Sequence, residues 1–196
     1  MPDSNKKIGL YFGTFNPIHI GHLIIANHII NDTDVGEVWF VVSPHSPFKN
    51  SIDLLDDYAR LELLHKAVKN YHKLSVSDIE FSLSKPSYTF NTLVNLVKKY
   101  PNKDFSLIMG RDNLSLFHKW KNYELILENH KLYIYPRLGS TPSFLDNHNK
   151  VHILDAPIIE IASSVIRHAI KNKIDIRAML PPNVWEHINA MNYYRK

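Results

Sequence analysis

Two histidines at i and i+3, His19 and His22, close the decapeptide Gly13-Thr14-Phe15-Asn16-Pro17-Ile18-His19-Ile20-Gly21-His22. Imidazoles at that spacing share one helix face, so both can hydrogen-bond a single tetrahedral anion. The apolar run 8–12 before the segment reads as a buried strand, and residues 23–30 after it read as a helix. A strand-to-helix junction presents free backbone N–H groups and the positive end of a helix dipole, a ready anion site. The stretch therefore reads as a cradle for a nucleoside triphosphate. His-x-Gly-His by itself would equally suit an ordinary surface or core histidine pair. The whole arrangement, placed at the first strand, favours the cradle. No Gly-Lys-Ser/Thr follows and no Gly-x-Gly-x-x-Gly is present, so neither common phosphate loop applies.

Further segments carry polar groups at useful spacing. In Ile161-Ala162-Ser163-Ser164-Val165-Ile166-Arg167, two serines open a helix and Arg167 lies one turn in. That set can clamp phosphate oxygens, or it can be an N-cap with a surface arginine. In Lys85-Pro86-Ser87-Tyr88-Thr89-Phe90-Asn91-Thr92-Leu93, Pro and Ser make a turn and Thr89 is placed to cap the following helix. Segment 109–120 turns at Gly110, exposes Asp112 to the same ligand edge and ends at Trp120. The indole face suits a flat cationic ring, and it equally suits the sealing of a core. Ser43-Pro44-His45-Ser46-Pro47-Phe48-Lys49, with two prolines after the second strand, reads as a rigid turn.

These residues must be positioned by regular elements. Strands are predicted over 8–12, 37–43, 73–77, 105–109, 131–135 and 151–154. Helices are predicted over 21–31, 54–70, 89–100 and 123–129, with 163–171 and 182–191 closing the chain. Alternation of this kind predicts βαβ units and a parallel sheet covered on both faces. Ligands of such sheets sit beyond the carboxyl ends of the strands, where the His segment falls. Residues 137–150, rich in Pro, Ser, Asn and Gly, read as a loop.

Composition sets outer limits. With 196 residues, 44% hydrophobic and 21% charged, the chain fits one globular domain. It has no cysteine, no run long enough to span a membrane and no signal-like apolar stretch near Met1, which predicts a cytoplasmic protein. The net charge of +4 comes from scattered lysines without aromatic interleaving. That pattern suits small polyanions such as ATP better than nucleic acid.

On these segments the chain resembles the nucleotidylyltransferase superfamily. Gly-x-Phe-x-Pro-x-His-x-Gly-His is similar to that superfamily's signature, and 161–167 is similar to its Ile-Ser-x-x-x-Ile-Arg pattern, with Ala162 in the place of the first serine. The tetrapeptide His19–His22 also matches class I aminoacyl-tRNA synthetases, but no lysine-rich second signature or RNA-binding extension accompanies it. Pro-Ser-Tyr-Thr-x-x-Thr-Leu and Gly-x-Asp-x-Leu-x-x-Phe-x-x-Trp resemble nicotinate mononucleotide adenylyltransferases, whereas pantetheine-phosphate adenylyltransferases share only the first motif. Lys121 stands where members of the family often carry a second aromatic residue.

The resemblance implies a Rossmann-like α/β fold of nucleotidylyltransferase type in one domain, 1–196. It implies adenylyl transfer from ATP to nicotinate mononucleotide, giving deamido-NAD and pyrophosphate, with Mg²⁺ carried on the ATP phosphates and no protein metal site. It places ATP against Gly13, Thr14, Phe15, His19, Gly21, His22, Ser163, Ser164 and Arg167, with His19, His22 and Arg167 catalytic. It places the mononucleotide against Thr89, Phe90, Asp112, Trp120 and Lys49. Neither nucleic acid nor membrane is an expected partner.

Overall fold

Odd and even residues of the strands go to different cores. In β1 (Lys6–Gly13), Ile8 and Leu10 join one apolar cluster, whereas Tyr11 joins the other. Phe105, Leu107 and Met109 of β4 (Lys103–Gly110) lie with Ile8, and Ile108 lies with Tyr11. The period of two thus sends apolar side chains to both faces, as a fully covered sheet requires. The structure, a computed structural model, describes residues 6–44 and 54–195.

The remaining strands are β2 (Glu37–Val42), β3 (Leu74–Ser77), β5 (Leu132–Tyr135) and β6 (Val151–Ile153). They form one parallel sheet in the order β3-β2-β1-β4-β5-β6. Helices α1 (Ile20–Asp32), α2 (Asp57–Val68), α6 (Ser163–Lys171) and α7 (Pro182–Ala190) contribute to the Tyr11 cluster. Helices α3 (Thr89–Lys99), α4 (Arg111–Leu116) and α5 (Tyr123–Asn129) contribute to the other. This is the predicted Rossmann-like arrangement, with every predicted strand present. No helix among the described residues is long and apolar enough to cross a membrane.

Two local differences have clear causes. The helix expected from residue 54 begins at Asp57, because the Asp56 carboxylate accepts the Tyr58 N–H at 2.9 Å and caps it there. Helix α4 was not predicted; its six residues are too few to show a helical period.

Candidate active site

The strand order reverses between β1 and β4, so their carboxyl ends diverge into a crevice. A cavity of about 350 Å³ opens there, lined by Gly13, Thr14, Glu80, Thr89, Trp120 and Tyr135 among others. The topology therefore brings Gly13 and Thr14 of the first motif to the same space as Thr89 and Trp120, from segments far away in sequence.

The turn between β1 and α1 folds back tightly. Phe15 takes a left-handed backbone (φ 45°) and is only 3% exposed, with its ring edge-on to Tyr11, Phe40 and His22. Left-handed backbone costs a non-glycine residue about 1–2 kcal/mol, so neighbouring contacts must hold it. A Cβ on residue 13 would fall 2.9 Å from the Phe15 ring, which is why glycine precedes the turn. Gly21 has a similar reason: its Cβ would meet Ile159 at 2.9 Å and the His19 ring at 3.0 Å.

His19 is the N-cap of α1, and His22 lies one turn in. Their rings stack at 3.7 Å between centroids, inclined by 26°. The His19 backbone N–H donates to His22 Nδ1 at 3.3 Å. A ring nitrogen that accepts carries no proton, so neutral His22 bears its hydrogen on Nε2. His19 Nδ1 is buried with no hydrogen-bond partner among the described residues. Burial, with a smaller effect of the Arg137 guanidinium, pulls the His19 pKa down from 6.5 to about 4. Burial first, then His19 and Arg137, carry His22 well below its ordinary value. Both rings are consequently neutral near pH 7 in the free protein.

On the other side of the crevice, Tyr88 rather than Thr89 is the N-cap of α3, and it offers no side-chain cap. Thr89 is the first helical residue, and the N–H groups of Thr89 and Phe90 have no partner within the helix. The Phe90 side chain packs on the core, leaving its backbone as the polar contribution. Trp120 is half-buried, tilted against Phe117 at 5.1 Å between ring centroids. Lys121 places its ammonium 4.7 Å from the centre of the Tyr88 ring, so it braces the Pro86–Ser87 turn segment instead of supplying a second aromatic face. Asp112 is exposed and faces Arg137, Oδ1 to Nε 3.7 Å. Lys49 lies outside the described residues.

The α6 residues flank the turn. Ser163 Oγ donates to the Pro17 carbonyl at 2.9 Å, and Arg167 Nη1 donates to the Asn16 carbonyl at 2.9 Å. The Arg167 Nε is buried and unpaired among the described residues. Ala162 is the N-cap, so the missing hydroxyl leaves the first N–H groups of α6 without side-chain cover. Ser164 and Arg167 line a second cavity of about 860 Å³, together with Leu55 and Tyr194. Gly13 and Thr14 thus line the first space and Ser164 and Arg167 the second, and neither His19 nor His22 lines either of them.

Three residues at the site were absent from the sequence reading. Arg60 is fully buried and donates to the carbonyls of Thr14 (2.6 Å), Ser43 (2.9 Å) and Leu55 (3.1 Å). Its fourth bond, 2.5 Å long, is to Asp57. It pins the turn after β1 to the end of β2. A signal was available: Arg60, Leu63, Leu64, Ala67 and Val68 form one buried helical stripe that starts with a charge. Glu80 is 3% exposed and accepts from Thr92 Oγ1 (2.7 Å) and Ser87 Oγ (3.3 Å), tying the Pro86–Ser87 turn to α3. Burial pushes its carboxyl pKa up. Arg137, two residues past β5, donates to Tyr135 Oη at 3.2 Å, and the Tyr11 hydroxyl donates to that oxygen at 3.4 Å. Its place just beyond a strand's carboxyl end was the cue.

The family model described as cytidylyltransferase-like matches residues 10–169. A probable nicotinate-nucleotide adenylyltransferase of Flavobacterium psychrophilum is 58% identical, covering 97% of this chain and 100% of its own length. One from Flavobacterium johnsoniae, with the same description, is 54% identical with the same coverage. Among solved structures, Plasmodium falciparum nicotinic acid mononucleotide adenylyltransferase complexed with NaAD superposes with a TM-score of 0.80 at 24% identity, covering 96% of this chain and 97% of that one. The fold agrees with that structure, and the full-length likeness to the bacterial proteins places the chain in the cytidylyltransferase-like family, among the nicotinate-nucleotide adenylyltransferases.

Proposed function

We propose that this protein transfers the adenylyl group of ATP to nicotinate mononucleotide, giving deamido-NAD and pyrophosphate. The observation that carries the reading is the meeting of two segments at one crevice: Gly13 and Thr14 of the turn that leads into α1, and the uncapped first turn of α3 beside Trp120. The first suits a triphosphate, and the second suits the carboxylate of a flat pyridine nucleotide.

The mononucleotide's own phosphate, largely dianionic at neutral pH, attacks the α-phosphorus of ATP. A new P–O bond forms there as the bond from the α-phosphorus to its bridging oxygen breaks, and pyrophosphate departs. No general base is required, because the attacking oxygen carries no proton to remove. Catalysis is then positioning and charge stabilisation. His22 donates Nε2–H to a phosphate oxygen, and His19 offers the unpaired buried nitrogen beside it. Gly13, Thr14, Phe15 and Gly21 shape the turn that lets the phosphates approach. Ser164, the Arg167 guanidinium and the first N–H groups of α6 take the departing β and γ phosphates, with Ser163 fixing α6 against the turn.

Thr89 and the Phe90 N–H hold the nicotinate carboxylate, Trp120 stacks on the pyridinium ring, and Asp112 with Arg137 borders the nucleotide. Lys49 is assigned to phosphate by its position in the loop after β2. Imidazole, hydroxyl, guanidinium and backbone N–H form an anion site, which suits Mg²⁺ arriving on the phosphates as part of the substrate. The reaction belongs in the cytoplasm, where ATP and pyridine nucleotides are at hand.

Pyrophosphate release from MgATP tests the reading, with nicotinate mononucleotide, nicotinamide mononucleotide and phosphopantetheine compared side by side. The acid nucleotide is expected to dominate, since a carboxylate site leaves polar groups unpaired against the amide. A preference for phosphopantetheine would overturn the acceptor assignment while keeping the phosphate site.

A further inference from the structure

We infer that Tyr194, near the carboxyl end of the chain, is a positioning residue for the phosphate turn, acting through Asn16; the inference rests on the proposed use of that turn by ATP. The Tyr194 hydroxyl donates to Asn16 Oδ1 at 2.8 Å, across 178 residues of sequence. The same oxygen accepts the Leu55 N–H at 3.2 Å, and the Asn16 carbonyl accepts Arg167 Nη1 at 2.9 Å. Asn16 is 4% exposed, follows the left-handed Phe15 and stands one turn of chain before His19. Three separate parts of the molecule therefore converge on one residue of the turn: the last described segment, the start of the α2 region, and α6.

The path that delivers Tyr194 is specific. Helix α7 ends in a Schellman arrangement: Asn192 is left-handed (φ 54°), its N–H donates to the Asn189 carbonyl at 3.3 Å, and the Tyr193 N–H donates to the Ile188 carbonyl at 3.1 Å. The chain reverses there, and Tyr194 itself is left-handed (φ 63°). Left-handed backbone at a bulky residue persists only where its surroundings demand it. The surroundings here include the part-buried hydroxyl bond to Asn16. Tyr194 makes no recorded bond to either histidine, and it also lines the cavity of Ser164 and Arg167, so the cycle with Asn16 below separates action through the turn from a direct contact there.

Tyr194→Phe keeps the ring packing and removes only this donor. The account expects kcat to fall about fivefold to tenfold, in line with one net hydrogen bond. It also expects a raised KM for ATP, an unchanged KM for the acceptor and a melting temperature close to that of the parent. A double-mutant cycle with Asn16→Ala isolates the route: Tyr194→Phe should have no further effect once Asn16 is truncated. MgATP affinity by titration calorimetry reads the same coupling without turnover, so failure here is separable from failure of the proposed reaction. Unchanged ATP affinity and kinetics in Tyr194→Phe, or additive effects in the cycle, would overturn the inference. So would equal losses toward both substrates together with a large fall in melting temperature, which mark a purely structural role.

Discussion

Replacing Arg60 with methionine gives the most direct test of what holds the turn in place. The guanidinium is 0% exposed and makes four hydrogen bonds, to the carbonyls of Thr14, Ser43 and Leu55 and to the Asp57 carboxylate. Methionine fills much of the same volume but satisfies none of these acceptors. Asp57, whose side chain is 18% exposed, also contacts Lys85 at 3.8 Å. Breaking a buried pair from one side, with three carbonyl acceptors losing their donor as well, costs about 3–5 kcal/mol. For a domain of this size each kcal/mol moves the melting temperature by roughly 2–4 °C, so a drop of about 10 °C is expected. Urea unfolding followed by circular dichroism gives the free energy. A loss below about 1 kcal/mol for Arg60→Met would refute the bracing of the turn by the buried guanidinium.

Three further outcomes follow from the site. His22→Ala should lower kcat by about 10²–10³-fold, the scale of losing one preorganised donor to developing charge, with folding intact by circular dichroism. Because burial holds the His19 pKa near 4 against 6.5 in the unfolded chain, the unfolded state binds more protons between those values. Stability from this group is complete above pH 6.5 and declines as pH falls toward 4; about 2 kcal/mol should be lost between roughly pH 7.5 and pH 5. His19→Asn should remove that part of the pH dependence in urea titrations at the two pH values. Trp120→Ala should raise KM for the pyridine nucleotide by the factor expected of ~0.5–2 kcal/mol of ring stacking, leaving KM for ATP unmoved.

The sheet was legible because its strands are apolar on both faces and separated by helical periods, so existence and order could be read even where ends shifted by a residue or two. The residue types of the turn were legible as well, since glycine, proline and paired histidines constrain a strand-to-helix junction locally. Their partners were not. Ser163 spends its hydroxyl on Pro17 O across 146 residues, and Arg167 reaches Asn16 O across 151. Bonds of that span leave no periodic trace. Thr89 as a cap failed for a nearer reason: α3 begins at Thr89, one residue earlier than a Thr89 cap would require. Arg60 was half-legible, as a charge at the head of an apolar stripe, but only the fold shows that the stripe runs beneath Thr14 and Ser43.

In the proposed reaction the turn after β1 directs attack to the α-phosphorus of ATP. ATP radiolabelled at that atom, incubated with Mg²⁺, nicotinate mononucleotide and the protein, decides it by separation of the products. The account predicts that the label moves into the dinucleotide and that unlabelled pyrophosphate appears in equal amount. Label retained in ADP, with a phosphorylated acceptor, would contradict it.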